Sequence, residues 1–206
     1  MEWRKTVVLR YLQLRSLAAV CAVLLFGGLF LAFPAASRAP QIDLAEDLAG
    51  KATDPFKLSH GRVLVFLFVR TDCPISNRYA PAIHQLAEKF HGQADFWLVY
   101  PDAGESASRI RAHLTEFHYS IPALRDLHHS LVKRAQATIT PESAVFDSAG
   151  KLVYHGRIDN WYEDFGRSRP AATTHELEGA IRSALEGRAI SPDQASAVGC
   201  YIADLK

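Results

Sequence analysis

Cysteine is scarce in this chain. It occurs three times in 206 residues, at positions 21, 73 and 200, and never as Cys-x-x-Cys. That spacing rules out the adjacent dithiol motif and any four-cysteine zinc site. No internal repeat or low-complexity tract is present. With 23 basic against 22 acidic residues there is no basic face of the kind nucleic acid requires, so nucleic acid is not an expected partner. There are nine histidines, yet no two lie four residues apart, so no helical face offers the usual histidine pair to a metal. What the chain does have is ordinary globular material, 49% hydrophobic and 22% charged, enough for one sizeable core.

Charge is unevenly placed at the start. Arg4, Lys5, Arg10 and Arg15 precede an uncharged run from Ser16 to Phe33, and the small-residue segment Pro34-Ala-Ala-Ser37 follows it. Such a run is long for a signal peptide and short for a membrane span, so both a cleaved signal peptide and a retained signal-anchor helix stand open over residues 1–36. We favour the anchor, which would hold the chain to a membrane through residues 16–33. The positive end stays cytoplasmic, and the following domain is then exported to the periplasmic or extracytoplasmic face. Residues 37–54 read as a linker and irregular lead-in, 55–190 as the folded domain, and 191–206 as a loosely patterned tail carrying Cys200.

The domain is organised around Val63-Leu-Val-Phe-Leu-Phe-Val69, a short apolar run that predicts a strand buried on both faces. It gives way to Arg70-Thr-Asp-Cys73-Pro74. Proline suits the first turn of a helix, so Cys73 falls where strand hands over to helix, near free N–H groups and the helix dipole that stabilise a thiolate. Asp72 opposes that stabilisation, whereas Arg70 and Arg78 favour it. The bland alternative is a buried structural thiol.

Downstream, the pattern predicts a helix from Pro74 to about Phe90 kinked at Pro81, then a strand over Asp95–Tyr100 and a helix over Ser106–Phe117. A short extended piece at 120–124 is followed by a helix to Ala135 capped by Asp126. A strand through Val145, the turn Asp147–Gly150 and a returning strand Lys151–His155 come next. The last helix is capped by Thr173 or Thr174 and ended by Gly187. This order implies an α/β fold: parallel strands joined through helices, a final antiparallel hairpin, and helices on both faces of a mixed sheet, preceded by one N-terminal hydrophobic helix.

Three features in sequence order resemble the thioredoxin-like superfamily, in particular the redoxin group of alkyl hydroperoxide reductase/thiol-specific antioxidant type. They are the strand ending in Asp72-Cys73-Pro74-Ile75-Ser76, the loop Ile139-Thr140-Pro141-Glu142 before a strand, and the hairpin Val145–Tyr154 followed by Gly156 and a closing helix. The resemblance implies a thioredoxin-like three-layer fold and a cis Pro141 beside the reactive cysteine, with Thr140 and Pro141 offering backbone groups to a disulfide or extended peptide. It further implies a thiol oxidoreductase without a cofactor. In that reading Cys73 attacks a peroxide or a protein or small-molecule disulfide, and an external thiol reductant closes the cycle.

The departures narrow the chemistry. Ser76 stands where a thioredoxin has its second cysteine; its hydroxyl can bond a thiolate but cannot resolve a mixed disulfide. Arg70 occupies the place of the peroxiredoxin threonine, and Asn77 that of the second cysteine of Sco-type copper assembly proteins. Cys200 is either the resolving thiol, a permanent bridge to Cys73, or a free or intermolecular thiol; the loose tail favours mobility and a resolving role. Arg157 either approaches the site or sits at the sheet edge. Two readings from other classes stay open: a copper-handling factor built on Cys73, His155 and Cys200, and a non-catalytic interaction domain.

Overall fold

The computed structural model describes residues 45–190, 196–203 and 205, all within one compact unit. The apolar run at 16–33 lies outside the described residues. Among the described residues no helix is long and apolar enough to cross a membrane.

The elements are β1 (Ala45–Asp47), β2 (Ala52–Thr53), α1 (Pro55–Leu58), β3 (Val63–Phe68), α2 (Pro74–Arg78), α3 (Ala80–Lys89), β4 (Ala94–Tyr100), α4 (Ala107–Glu116), β5 (Ala123–Arg125), α5 (Ser130–Ala135), β6 (Ile139–Thr140), β7 (Glu142–Phe146), β8 (Leu152–Gly156), β9 (Tyr162–Asp164), β10 (Arg167–Ser168), α6 (Glu176–Leu185) and β11 (Cys200–Tyr201). Seven strands form one sheet in the order β2-β1-β5-β4-β3-β7-β8. The pairs β3–β4 and β4–β5 are parallel, whereas β7 runs antiparallel to both β3 and β8, as the helix-linked and hairpin-linked segments require.

Every residue of β3 is buried because alternate side chains enter two different cores. Val63, Val65 and Leu67 meet Ile83 of α3, Ile110 of α4 and Leu177, Ala180 and Ile181 of α6. Leu64, Phe66 and Phe68 meet Leu131, Val132 and Ala135 of α5 and Phe56 of α1. This is a mixed sheet between two helical layers, a thioredoxin-like three-layer fold. The second core is tightened by Phe56, Phe66 and Phe146, whose ring centroids lie 5.0–5.6 Å apart in edge-on arrangements.

Several expectations are corrected. The lead-in before residue 55 is not irregular where it is described, because β1 and β2 form a hairpin that extends the sheet beyond β5. These strands are two and three residues long, too short to show a period. The long helix is broken at Tyr79 rather than kinked at Pro81; Pro81 has no N–H for the Asn77 carbonyl, and its ring crowds that carbonyl. Asp126 does satisfy the start of α5, but from outside it, accepting the N–H groups of Ser130 and Val132 at 2.8 Å each, while His129 holds the cap position. Neither threonine caps α6; His175 holds the N-cap position, with no side-chain capping bond. Thr173 Oγ1 accepts from Asn160 Nδ2 at 2.7 Å, and Thr174 Oγ1 donates to Glu176 at 2.6 Å. Gly187 ends that helix region with φ +64°.

Two further elements lie outside those expectations. The small hairpin β9–β10 packs its Tyr162 against Tyr79. The tail is not loose where it is described: β11 pairs antiparallel with β6, Cys200 opposite Thr140 and Tyr201 opposite Ile139.

Candidate active site

The site forms at the carboxyl ends of the parallel strands, where an open α/β sheet leaves a crevice. Val69 still pairs with β4, its N–H bonding Val99 O at 3.0 Å, and the chain then turns through Arg70-Thr71-Asp72 into α2. Cys73 sits at the N-cap of α2 in extended conformation (φ −84°, ψ 110°) and is 0% exposed. Opposite it the Thr140–Pro141 peptide is cis, and the Thr140 carbonyl accepts a hydrogen bond from Cys73 Sγ at 3.1 Å. The β11–β6 pairing brings Cys200 to the same place.

Gly199 explains how closely the tail approaches. A Cβ there would lie 2.0 Å from Thr140 O, 2.6 Å from Thr140 C and 3.1 Å from Pro141 Cδ, so no larger residue fits while the tail is docked. The tail is fastened further on. Ile202 N–H bonds Thr138 O at 3.0 Å, its side chain enters the second core at 5% exposure, and Thr140 Oγ1 donates to Cys200 O at 3.3 Å.

The two sulfurs titrate as a pair, in opposite directions. Burial alone pushes the Cys73 thiol up. It is outweighed by hydrogen bonds that favour the thiolate, from the Cys200 thiol, the Ser76 hydroxyl, the Ser76 N–H and the Cys200 N–H, so the Cys73 pKa lies below its ordinary value. Ser76 is 0% exposed and its Oγ has no hydrogen-bond partner, so the hydroxyl is available to a developing thiolate on Cys73. Cys200 is pushed up to about 12, by burial first and then by the hydrogen bond it gives Cys73 and the charge that develops there. Arg70 pulls it down and Asp72 pushes it up. Of the two sulfurs Cys73 therefore ionises first, and Cys200 keeps its proton to higher pH. With only five residues in α2, local donors rather than a long helix dipole carry the effect.

The loop bearing Cys73 is held by groups that have no mark in the sequence. Glu105 is 4% exposed and accepts the Thr71 N–H at 2.8 Å and the Thr71 hydroxyl at 2.5 Å. Asn77 Nδ2 donates to Thr71 O at 3.1 Å, and Asn77 Oδ1 lies 2.8 Å from His113 Nε2. Tyr100 OH lies 2.9 Å from His113 Nδ1. The amide oxygen can only accept, so His113 carries its proton on Nε2 and receives the Tyr100 hydroxyl on Nδ1. Burial lowers the His113 pKa and keeps the ring neutral. The position that Sco proteins give to cysteine is thus a structural clamp here.

The other expected site residues are placed elsewhere. Arg157 is tied to Glu176 at the start of α6, its Nε bonding Glu176 Oε1 at 3.0 Å and its Nη2 contacting the same oxygen; the guanidinium acting on Cys200 is that of Arg70. Arg78 donates to Tyr162 OH at 3.3 Å and faces the Trp161 ring at 5.9 Å, so it is no partner of the thiolate. Arg70 is itself paired with Asp72 at 3.2 Å and Asp102 at 3.0 Å.

His155 does not complete a metal site with the two sulfurs. Its Nδ1 lies 3.6 Å from Glu142 Oε1, and among the described residues no group of three His, Cys, Asp or Glu side chains is placed to hold a metal ion. The donor set for copper reduces to two sulfurs.

Gly199 and the tail strand escaped the sequence reading. The available signal was the apolar alternation of Val198, Cys200 and Ile202, with Tyr201, 79% exposed, between the last two.

Comparison with known proteins agrees with the fold. The family model described as Redoxin matches residues 34–164. A hypothetical protein from Sinorhizobium meliloti superposes with a TM-score of 0.64 at 22% identity, over 77% of this chain and 88% of that one. A secreted Mycobacterium tuberculosis disulfide oxidoreductase homologous to E. coli DsbE gives 0.50 at 18% identity, over 68% and 94%. The exposed lipoprotein thioredoxin of Streptococcus pneumoniae gives 0.51 at 18% identity, over 70% and 97%. No curated protein matches the chain. The family match spans more than half of the sequence, and the chain belongs to the redoxin family.

Proposed function

We propose that this redoxin-family chain is an exported thiol oxidoreductase in which Cys73 and Cys200 form one redox couple. One observation carries the reading: the tail strand pairs with β6 so that Cys200 stands opposite Thr140, the residue whose carbonyl accepts the Cys73 thiol. A site whose nearby second-cysteine position is Ser76 thereby regains a resolving thiol from 127 residues downstream (73 to 200).

The dithiol chemistry follows from the proton placement. With a peroxide ROOH, the Cys73 thiolate attacks the terminal oxygen, the O–O bond breaks and RO⁻ leaves, taking a proton from solvent to become ROH, and Cys73 is left as a sulfenic acid. Cys200 sulfur then displaces that oxygen as water, its own proton leaving with it, and the Cys73–Cys200 disulfide forms. With a disulfide RSSR, Cys73 attacks one sulfur and RS⁻ leaves; Cys200 then releases the second RS⁻. Two external thiols return the pair to the reduced state. Ser76 stabilises the thiolate, and the Thr140 carbonyl receives the Cys73 proton when the thiol is neutral.

Export is supported by the four positive charges before the apolar run at 16–33, which would also tether the protein if uncleaved.

Peroxide and an oxidised dithiol, added separately to the reduced chain, test the reading. The wild type loses both thiols to a bridge. Cys200→Ser stops at a dimedone-reactive sulfenic acid, or at a mixed disulfide, on Cys73. A Cys73 unreactive toward both oxidants at neutral pH refutes it.

A further inference from the structure

Strand β6 stands outside the seven-stranded sheet, and among the described residues its one strand partner is the tail. It does not depend on that partner for its shape. Glu142, 5% exposed, accepts the Thr138 N–H at 2.8 Å and the Ile139 N–H at 3.2 Å. The Thr140 carbonyl meets the Cys73 thiol at 3.1 Å. The result is a short edge, held from its own loop, that leads to the reactive sulfur.

The tail shows what such an edge takes. Cys200 stands opposite Thr140 and Tyr201 opposite Ile139, antiparallel. The attachments are few: the Ile202 N–H to Thr138 O at 3.0 Å, the Thr140 hydroxyl to Cys200 O at 3.3 Å, and the Ile202 side chain in the second core. Most of these are backbone bonds that another extended segment can supply equally well. One demand is specific. A Cβ at Gly199 would lie 2.0 Å from Thr140 O, so the residue before a cysteine in this register has room for no side chain.

We infer that β6 is the docking edge for an extended polypeptide disulfide, lying antiparallel with its attacked cysteine opposite Thr140 and a glycine before that cysteine, and that the tail holds this edge as an intramolecular competitor. The inference rests on the Cys73–Cys200 couple proposed above and names the substrate class for its disulfide reaction.

Competition also reconciles the burial of Cys73 with its chemistry. Cys73 is 0% exposed while Val198 and Cys200 of the tail pack against its core. An external disulfide therefore reacts from the state in which the tail has left β6, and only the resolving step uses the docked tail. In the first step the Cys73 thiolate bonds the substrate cysteine sulfur, the substrate S–S bond breaks and the other half leaves as RS⁻ with the electron pair. The tail then retakes the edge. Cys200 sulfur bonds Cys73 sulfur and loses its proton to solvent, and the substrate cysteine departs as a thiolate. One substrate disulfide is reduced and the protein pair is oxidised.

The test uses full-length chains carrying Cys200→Ser, so that an adduct on Cys73 persists. They are compared with and without Gly199→Ala, which pushes the tail off β6, or Ile202→Ala, which loosens its far end. The probes are two peptides, Val-Gly-Cys-Tyr-Ile and Val-Ala-Cys-Tyr-Ile, each with its cysteine in a disulfide with 2-nitro-5-thiobenzoate. Adduct formation on Cys73 is followed by mass spectrometry after acid quench, at the pH-independent plateau of each variant, so that thiolate fraction does not enter. The glycine peptide should react faster when either tail substitution is present, by at least about tenfold for Gly199→Ala, as the competent fraction rises. It should also outpace the alanine peptide by about fivefold or more. Equal rates for the two peptides, or no gain from releasing the tail, overturn the inference while leaving the couple intact. A Cys73 that forms no adduct with either peptide in any variant, nor with a small disulfide, removes the couple itself.

Discussion

Replacing Gly199 by alanine is the most informative single perturbation, because the obstacle it creates is backbone. The new Cβ would stand 2.0 Å from Thr140 O and 2.6 Å from Thr140 C, and neither atom can turn aside as a flexible side chain would. The tail must therefore retreat from β6, taking Ile202 and Cys200 with it. Exposing Ile202 costs roughly 1.5–3 kcal/mol, and losing its N–H bond to Thr138 about 0.5–1.5 kcal/mol. Together these make docking weaker by about 2–4.5 kcal/mol, a fall of roughly 30- to 2000-fold in the population that presents Cys200 to Cys73. The tail remains tethered, so the loss appears as a lower effective concentration of the second thiol. The assay is the equilibrium of the Cys73–Cys200 bridge against a graded dithiothreitol redox buffer. The bridge in Gly199→Ala should be reduced at a far lower dithiothreitol ratio, and the reduced chain should lose no more unfolding free energy than that docking supplies, since the tail adds no strand to the seven-stranded sheet. An unchanged bridging equilibrium refutes the proposition that the tail strand presents the thiol.

Ser76→Ala removes a buried hydroxyl that favours the Cys73 thiolate, so the thiolate absorbance of Cys73 should titrate at higher pH than in the wild type; an unmoved midpoint discounts that donor. Cys73→Ala removes the hydrogen-bonding and charge effects on Cys200 and leaves that of burial, so its alkylation should begin below its pH in the intact pair, about 12. In the reduced chain, the depressed Cys73 pKa contributes stability that is present above the ordinary value of 9.0 and lost as pH falls through the folded value. The raised Cys200 pKa contributes stability present below 9.0 and lost as pH rises toward about 12. Urea unfolding should therefore show the pair's contribution peaking around 9.0, with the alkaline decline absent from Cys200→Ser. Asn77→Ala leaves His113 Nε2–H and the Thr71 carbonyl without their partner and should cost about 1–3 kcal/mol in the same unfolding assay.

The parts of the molecule legible in the sequence are those written in long periods or strong punctuation. Val63–Val69 declares a two-faced strand, Cys73-Pro74 a strand-to-helix handover, and Ile83 and Phe90 a helix stripe. Asp147–Gly150 marks a hairpin by turn chemistry that the structure repeats, Asp147 Oδ1 accepting from Ala149 and Lys151 at 3.0 and 2.9 Å. Elements of two or three residues leave no such trace. The pairs β1–β2, β9–β10 and β6–β11 exist because a neighbouring edge accepts them, a tertiary circumstance that local pattern does not encode.

The same limit explains the site. Cys73, Thr140 and Pro141 stand in recognisable local contexts, whereas Glu105, His113 and Tyr100 reach the Thr71 loop only through the packed fold. Arg157 looked free in the sequence because its partner, Glu176, is nineteen residues away on another element. His155 looked available for the same reason, Glu142 lying on the neighbouring strand.

The account's central claim is that Cys73 and Cys200 are one couple, and peptide mapping of the non-reduced chain after mild oxidation tests it most directly. Digestion without reductant should yield a single cross-linked species joining the Cys73 and Cys200 peptides, in monomeric protein, with both thiols regained on reduction. Cys73 recovered as a sulfinic acid, or bridged between two chains, while Cys200 remains a free thiol would contradict the claim.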